Sequence, residues 1–240
     1  MLNASTETSP VKIARIAGIL YLLIFITAGF SQGFVRESMV VPGDANLTAA
    51  NILASEGLFR LGFASDLIAF MSDLVVSILL YVLLRPVSKT VSLIAAMFRL
   101  LAHPAIATIN LLNHYNALSL LNGGEFLSVF NADQINALVL FFMNAHRIGY
   151  MIAGSFFGMS LAFLGYLLYK SDRFPKLIGI LIAIAAAGYL IESFGTFLFP
   201  GGREVYGMIV TVTAVVGEFA LTLWLLIKGV KTPSEETAKA

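Results

Sequence analysis

The chain lacks cysteine, has few charged residues and has no strongly basic segment. Only 12% of its 240 residues are Asp, Glu, Lys or Arg, whereas soluble domains carry about a quarter. The absence of cysteine excludes disulfides, thiolate nucleophiles and thiolate metal ligands. The formal net charge is +1, and no cluster of Lys and Arg suits the binding of phosphates. We therefore expect no nucleic-acid partner.

Motifs typical of nucleotide-binding and hydrolytic enzymes are also absent. The sequence contains no Walker A loop, GxGxxG motif or GxSxG motif, and its three histidines form no HExxH zinc motif. No residue pattern indicates a nucleophile or a cofactor. The sequence therefore leaves open whether the protein is an enzyme and which cofactor, if any, it binds.

Long apolar runs dominate what is present. Hydrophobic residues make up 58% of the chain. A transmembrane helix needs about 20 largely apolar residues, whereas the strands of a membrane barrel alternate apolar and polar positions, which runs such as 91–109 and 177–190 do not. We predict an all-α, polytopic bundle in the lipid bilayer, with six spans near Ile13–Phe34, Phe59–Leu84, Val91–Leu112, Asn136–Tyr169, Leu177–Phe199 and Val205–Ile227.

The charges outside the spans predict the orientation of the chain. Residues 1–10 and 231–240 are polar and are predicted to be disordered tails on a six-span domain at 11–230. Basic residues gather on the side of the termini, at Lys12, Arg15, Arg85, Lys89, Lys170, Arg173, Lys176, Lys228 and Lys231. Because positively charged linkers stay in the cytoplasm, both termini are predicted to be cytoplasmic. The longest linker, 35–58, would lie outside and contain a short helix at 46–53.

Ionisable residues inside the spans form two groups at different depths. At about 1.5 Å of rise per residue, those near the midplane are Asp73, Arg99, His103 and Glu218. Those progressively nearer the outer surface are Asp66, Glu192, His114, His146, Arg147 and Arg60. Such side chains are costly in lipid and normally face the interior of a bundle.

Helical spacing places many of these side chains on common faces. The sets are Asp66, Asp73 and Ser77 on the second span, Arg99, His103, Asn110 and His114 on the third, and Thr211, Glu218 and Thr222 on the sixth. Residues four and seven apart return to nearly the same side of a helix. Three polar stripes are therefore predicted to point at one another. The pair His103-Pro104 also predicts a kink, because proline lacks a backbone donor.

The buried charges have two interpretations. Midplane carboxylates beside an arginine are typical of proton relays and counter-ion sites, and the candidates for a proton relay or a small-ligand site are Asp66, Asp73, Arg99, His103 and Glu218. Polar residues also hold helices together without a further role, so Asp73 and Arg99 would then pair only to fix the helix order. The leading function is small-ligand or proton binding or transport, and the alternative is a structural or regulatory membrane partner.

The outer residues suggest a third hypothesis. Arg60, His114, His146, Arg147 and Glu192 are predicted to form a polar cluster at the outer face. Asp66, His114, His146 and Glu192 have the side-chain types of a zinc site, although no close ligand spacing supports a metal. An intramembrane enzyme, with or without a metal, would act at this face on a small polar molecule or a lipid. Otherwise these side chains hydrogen-bond with one another without a metal. The sequence does not indicate an oligomeric state.

Several segments resemble a known family. They are Arg15-x-x-Gly18-x-x-Tyr21, Val35-Arg36, Pro42-Gly43-Asp44, Ala50-Asn51-Ile52, Glu56-x-Leu58-Phe59-Arg60-Leu61-Gly62-x-x-x-Asp66, Leu84-Arg85-Pro86-Val87, His146-Arg147-Ile148-Gly149-Tyr150, Phe156-Phe157-Gly158, Gly165-Tyr166-Leu167-Leu168 and Gly188-Tyr189-Leu190. From about Val11 to Val230 the chain is similar to a bacterial membrane family catalogued as domain of unknown function 4386. The resemblance implies a multi-pass protein of the bacterial plasma (inner) membrane and brings no established activity.

Overall fold

The computed structural model describes residues 9–231, and all regular structure in that range is helical. The helices are α1 (Pro10–Met39), α2 (Ala45–Ala54), α3 (Glu56–Leu84), α4 (Lys89–Leu121), α5 (Ala132–Lys170), α6 (Lys176–Leu198) and α7 (Arg203–Ile227). Short 3₁₀ turns lie at Glu125–Leu127 and Pro200–Gly202. All but α2 are long and apolar enough to cross a membrane, which confirms the predicted six-span, all-α class. The predicted tails lie outside the described residues, apart from positions 9, 10 and 231.

Polar side chains cap the starts of several helices. The Ser9 hydroxyl accepts a hydrogen bond from the backbone N–H of Lys12 at 3.3 Å, and the Asp44 carboxylate does the same for Leu47 at 2.9 Å. At the start of α5 the Asn131 and Gln134 side chains each accept from the other residue's backbone, both at 2.9 Å. Each cap satisfies N–H groups that have no partner within the helix.

Several spans are longer than predicted on the outer side, which we define as the side opposite the termini. α1 continues to Met39 rather than Phe34, and α4 continues to Leu121 rather than Leu112. These extensions pack with the predicted short helix, now α2, around Val35, Met39, Ile52, Phe59, Ala117, Leu118, Val139 and Met143. Burial of apolar surface in this cluster stabilises helical turns that hydropathy alone does not predict.

The two ends of the described chain lie side by side. The backbone N–H of Lys231 donates to the Arg173 carbonyl at 3.2 Å, and Val11 packs against Gly229. An even number of crossings requires both ends to be on one side, so this contact agrees with the six-span topology.

Helices α5 and α6 approach closely through glycines. A methyl group added to Gly165 would lie 2.9 Å from the Gly179 carbonyl oxygen, and one added to Gly179 would lie 2.6 Å from the Tyr169 nitrogen. One added to Gly158 would lie 3.0 Å from Cβ of Tyr189. Small residues let membrane helices pack backbone against backbone. This packing fixes the position of Tyr189 on α6 relative to α5.

Two membrane helices contain π-helical segments. One covers Gly29–Arg36 in α1, and the other covers Leu101–Ala107 in α4 and includes Pro104. Proline removes a backbone donor, so the kink expected at His103-Pro104 takes the form of a widened helix. Such segments are frequent at functional sites, and both segments carry residues of the site described below.

Candidate functional site

A buried ion pair lies at the centre of the bundle. Nε of Arg99 donates to Oδ1 of Asp73 at 2.8 Å, and Nη2 of Arg99 lies 2.5 Å from the same oxygen. Nδ1 of His103 lies 3.1 Å from the second oxygen, Oδ2. Arg99 and Asp73 are almost completely buried. The predicted pairing of Asp73 with Arg99 is therefore present, and His103 joins it.

The hydrogen bonds continue from Arg99 to a second carboxylate. Nη1 of Arg99 donates to the Tyr21 hydroxyl at 2.9 Å, and this hydroxyl donates to Oε2 of Glu218 at 3.1 Å. The Tyr189 hydroxyl donates to Oε1 of Glu218 at 2.9 Å. We call this connected set the inner network: His103, Asp73, Arg99, Tyr21, Glu218 and Tyr189. Its members come from α1, α3, α4, α6 and α7.

Helix α5 completes the inner network with an aromatic ring. The Arg99 guanidinium lies 4.8 Å from the Phe157 ring centroid and 4.6 Å from that of Tyr21. Phe157 also packs against His103 at 4.6 Å and Tyr189 at 5.1 Å between centroids. Aromatic faces attract a guanidinium, most strongly away from water. All six membrane-crossing helices therefore contribute a side chain to the surroundings of Arg99.

A second buried polar group lies nearer the outer side. Nη2 of Arg36 forms a salt bridge with Oδ2 of Asp66, Nη1 lies 3.1 Å from Nδ1 of His114, and Nε donates to Oε1 of Gln32 at 3.0 Å. Nε2 of His114 lies 3.0 Å from the Phe59 carbonyl oxygen. Because Arg36 can only donate, the His114 ring accepts at Nδ1 and donates from Nε2 to this carbonyl. The His114 tautomer is thereby fixed.

The second histidine of this group lies beside the first. The His146 and His114 ring centroids are 5.8 Å apart. Nδ2 of Asn110 donates to the His146 backbone carbonyl at 2.6 Å, and Nδ1 of His146 lies 3.3 Å from the Asn110 carbonyl oxygen. We call the complete set the outer cluster: Gln32, Arg36, Asp66, Asn110, His114 and His146.

The position of Arg36 corrects the predicted outer boundary of the first span. This residue was assigned to the outer linker, but α1 continues as a π-helix past Phe34 and directs Arg36 inward, where it is 8% exposed. The sequence does hold one signal for it. Asp66 lies within a span and needs a cationic partner, although Arg147 of another predicted span lies in the same outer group, so this signal does not single out Arg36.

The remaining outer candidates do not join the cluster. Arg60 forms a salt bridge with Glu56 on the surface, where the Arg60 side chain is 56% exposed. Arg147 and Glu192 are partly buried, and their side chains make no hydrogen bond or ion pair with any residue between 9 and 231. On α7, Glu218 and Thr222 are buried as expected, whereas Thr211 is exposed. Of the five residues predicted to form the outer polar cluster, only His114 and His146 lie together.

The geometry does not support the zinc hypothesis. Within residues 9–231, no three His, Asp or Glu side chains are placed to hold one metal ion. The guanidinium of Arg36 lies between Asp66 and His114 and binds both of them. A cation at that position would repel a metal ion. In the described arrangement Asp66, His114, His146 and Glu192 are therefore not placed as one set of metal ligands.

Sequence reasoning missed the tyrosines of the inner network. Tyr21 and Tyr189 carry no charge, so a search for ionisable residues in apolar spans passes over them. Tyr21 and Glu218 are 197 positions apart, and no spacing rule connects them. Both tyrosines do occur in segments that carry the family resemblance, Gly18-x-x-Tyr21 and Gly188-Tyr189-Leu190.

Comparisons with known proteins identify a family and assign no activity. The model of the family described as Domain of unknown function (DUF4386) matches residues 16–229. A curated relative from the archaeon Archaeoglobus fulgidus, described as an uncharacterized protein, is 33% identical over 159 residues, which is 66% of this chain and 78% of the relative. No solved structure matches the chain. The matched range includes both the inner network and the outer cluster.

Proposed function

Because the chain belongs to the family described as Domain of unknown function (DUF4386), which implies no activity, we propose a function from the site itself. The protein binds a proton at the inner network and exchanges it between the two sides of the membrane. The supporting observation is that one arginine, Arg99, is hydrogen-bonded to two buried carboxylates. It binds Asp73 directly and Glu218 through the Tyr21 hydroxyl.

The charges of the inner network favour proton binding. Asp73 and Glu218 would carry two negative charges against the single positive charge of Arg99. An unbalanced charge in this interior is costly. One additional proton, held by Asp73, Glu218 or His103, makes the network neutral. The number of acidic and basic groups therefore favours a site that binds one proton.

The connections favour exchange rather than permanent storage of that proton. Arg99 cannot give up its own proton in a protein, so it acts as a counter-ion shared by the two carboxylates. In the described arrangement Arg99 binds Asp73 directly. Transfer of the proton from Glu218 to Asp73 would draw the guanidinium toward Glu218, because the carboxylate that is still charged then lies there. Proton position and the Arg99 ion pair are coupled in this way.

A small cavity lies beside Arg99 on the inner side of the bundle. It lies between α3, α4 and α5, has room for about one water molecule and reaches Arg99. Its lining includes Ser77, Ser92 and Ser160. We place the protein in the plasma membrane of a bacterium with both termini in the cytoplasm, since the basic linkers lie on that side. The cavity then extends from Arg99 toward the cytoplasmic ends of α3, α4 and α5.

Proton flux into liposomes tests this function. The purified protein is reconstituted with a pH-sensitive dye inside, and the external solution is acidified while potassium and valinomycin hold the membrane potential. We expect the wild-type protein to acidify the interior faster than empty liposomes, and Glu218→Gln to abolish the difference. The matched control is Glu125→Gln, which makes the same change at an exposed residue of the outer loop.

The unfolding temperature in detergent must accompany the flux. A folded Glu218→Gln protein without flux supports the function. Wild-type liposomes that acidify no faster than empty ones, with the protein folded and inserted, would overturn it. The inner network would then have only the structural role of joining the helices.

A further inference from the structure

Three buried polar atoms of the outer cluster have no hydrogen-bond partner within residues 9–231. They are Nε2 of Gln32, Oδ1 of Asp66 and Nε2 of His146. Asp66 is 0% exposed and His146 is 1% exposed. A buried polar atom left without a hydrogen bond costs about 1–3 kcal/mol, so each such atom in a folded protein requires an explanation.

The three side chains surround the same arginine and histidine. Gln32 and Asp66 both bind Arg36, and Arg36 binds His114. The His146 ring lies next to His114, with 5.8 Å between centroids. The unpartnered atoms come from three different helices, α1, α3 and α5. Their contacts with Arg36 and His114 bring the three side chains to one region of the bundle, and the space between them is the candidate site.

The donor and acceptor pattern suits one water molecule. Asp66 offers an acceptor and Gln32 a donor, while Nε2 of His146 accepts or donates according to its tautomer. A water molecule has two donors and two acceptors, so it completes the set with either tautomer. An ammonium ion only donates and leaves Gln32 without a partner. Buried waters typically make about three such hydrogen bonds.

Tyr150 connects this space with the inner network. It lies one helical turn from His146 on α5, with ring centroids 6.4 Å apart, and its ring centroid is 5.9 Å from that of His103. On α3, the direct line from Asp66 to Asp73 passes Phe70, whose ring stacks on His103 at 5.8 Å. An apolar ring therefore blocks the direct route. Tyr150 packs against Phe70, with 6.4 Å between ring centroids, and carries a hydroxyl group.

We infer that Gln32, Asp66 and His146 bind one water molecule, and that this water and Tyr150 form the outward branch of the proton path, which enters the inner network at His103. The water site stands on the unpartnered atoms alone. The role as a branch rests on the proposed function. The two parts require separate measurements.

Radiolytic footprinting tests the water site. Hydroxyl radicals made from bound water modify the side chains next to it, even those that are buried. We expect modification of His146 and Tyr150 well above that of Phe157, which is 2% exposed and does not line the cavity beside Arg99. The variant His146→Phe fills the space and should reduce the modification of Tyr150 to the Phe157 level. Modification of wild-type His146 and Tyr150 no greater than that of Phe157 would overturn the water site.

Proton flux in liposomes tests the branch. Tyr150→Phe removes the hydroxyl and keeps the ring, so we expect entry from the outer side to slow by about a hundredfold or more, which is the effect typical for the loss of a positioned proton-transfer group. The matched control is Tyr166→Phe on the same helix, where the side chain is 50% exposed, and flux should remain at the wild-type rate. Both variants must keep the wild-type unfolding temperature.

The outcomes separate the branch from the proposed function. If wild-type flux is present and Tyr150→Phe conducts as fast as Tyr166→Phe, the outward branch is wrong while the proposed function stands. If the wild-type protein conducts no protons, the proposed function and the branch fail together, and the footprinting result alone decides the water site.

Discussion

The inner network and the outer cluster contain similar side chains but differ in how completely their hydrogen bonds are formed. Each has an arginine bound to an aspartate, with a histidine beside the pair. In the described part of the chain, no buried side-chain atom of the inner network is without a partner, whereas three atoms in and around the outer cluster are. The inner network is therefore the more rigid of the two, and the outer cluster has room for an additional hydrogen-bonding molecule.

This difference follows from the helices that supply the residues. The inner network draws on five helices, and Phe157 of a sixth covers the arginine. In the outer cluster, Gln32 and Arg36 lie on the π-helical part of α1, and the other members come from α3, α4 and α5. A fully bonded network holds a charge in place, while a partly bonded one exchanges water. Under the proposed function, this difference suits the inner network to proton binding and the outer cluster to access.

The largest expected effect is on stability, when Arg99 is removed. Arg99→Met leaves Asp73 as an unpaired buried charge, which should lower the free energy of unfolding by about 3–5 kcal/mol. The double variant Asp73→Leu with Arg99→Met removes both charges and should recover part of the loss. Unfolding in detergent, followed by circular dichroism against denaturant, measures both effects.

A surface arginine provides the control. Arg60 pairs with Glu56 in an exposed position, so Arg60→Met should cost no more than about 1 kcal/mol. An Arg99→Met protein as stable as Arg60→Met would mean that the inner network is not held together by its ion pair, and the comparison with the outer cluster would lose its basis.

The sequence predicts the spans and the central ion pair well, because both depend on local patterns. Apolar runs locate the six spans, and rise per residue places Asp73 and Arg99 at the same depth. Residues spaced by four or seven positions define a face. Oppositely charged side chains that face each other from two helices at similar depth are therefore expected to form an ion pair.

The outer cluster was harder to predict, because it depends on tertiary packing. Hydropathy ends α1 near Phe34, and only contacts with α2, α4 and α5 extend it far enough to bury Arg36. Similar depth also placed Glu192 beside His146, yet depth does not fix the rotation of a helix. The described arrangement does not support the zinc hypothesis for the same reason, since side chains of suitable types need not lie close to one another.

An intermediate effect is expected when a hydroxyl of the inner network is removed. Tyr21→Phe deprives Nη1 of Arg99 and Oε2 of Glu218 of a hydrogen-bond partner. Two buried groups without these partners should together lower the free energy of unfolding by about 1–3 kcal/mol. Tyr115→Phe, at a side chain that is 57% exposed, should stay within about 0.5 kcal/mol. A double-mutant cycle with Glu218→Gln sharpens the test. Additive losses would show that Tyr21 and Glu218 do not interact, because coupled residues are non-additive.

The smallest effect on stability is expected at Gln32. Gln32→Leu removes a donor, Nε2, that already lacks a protein partner, and it also removes the acceptor for Nε of Arg36. Arg36 keeps its bonds to Asp66 and His114, so the loss should be about 1 kcal/mol or less. The variant should nevertheless weaken the bound water, and radiolytic modification of His146 should fall while that of Phe157 stays unchanged. A loss of stability as large as that of Tyr21→Phe would mean that Gln32 is as fully bonded as the residues of the inner network. The inner network and the outer cluster would then not differ in how completely their hydrogen bonds are formed.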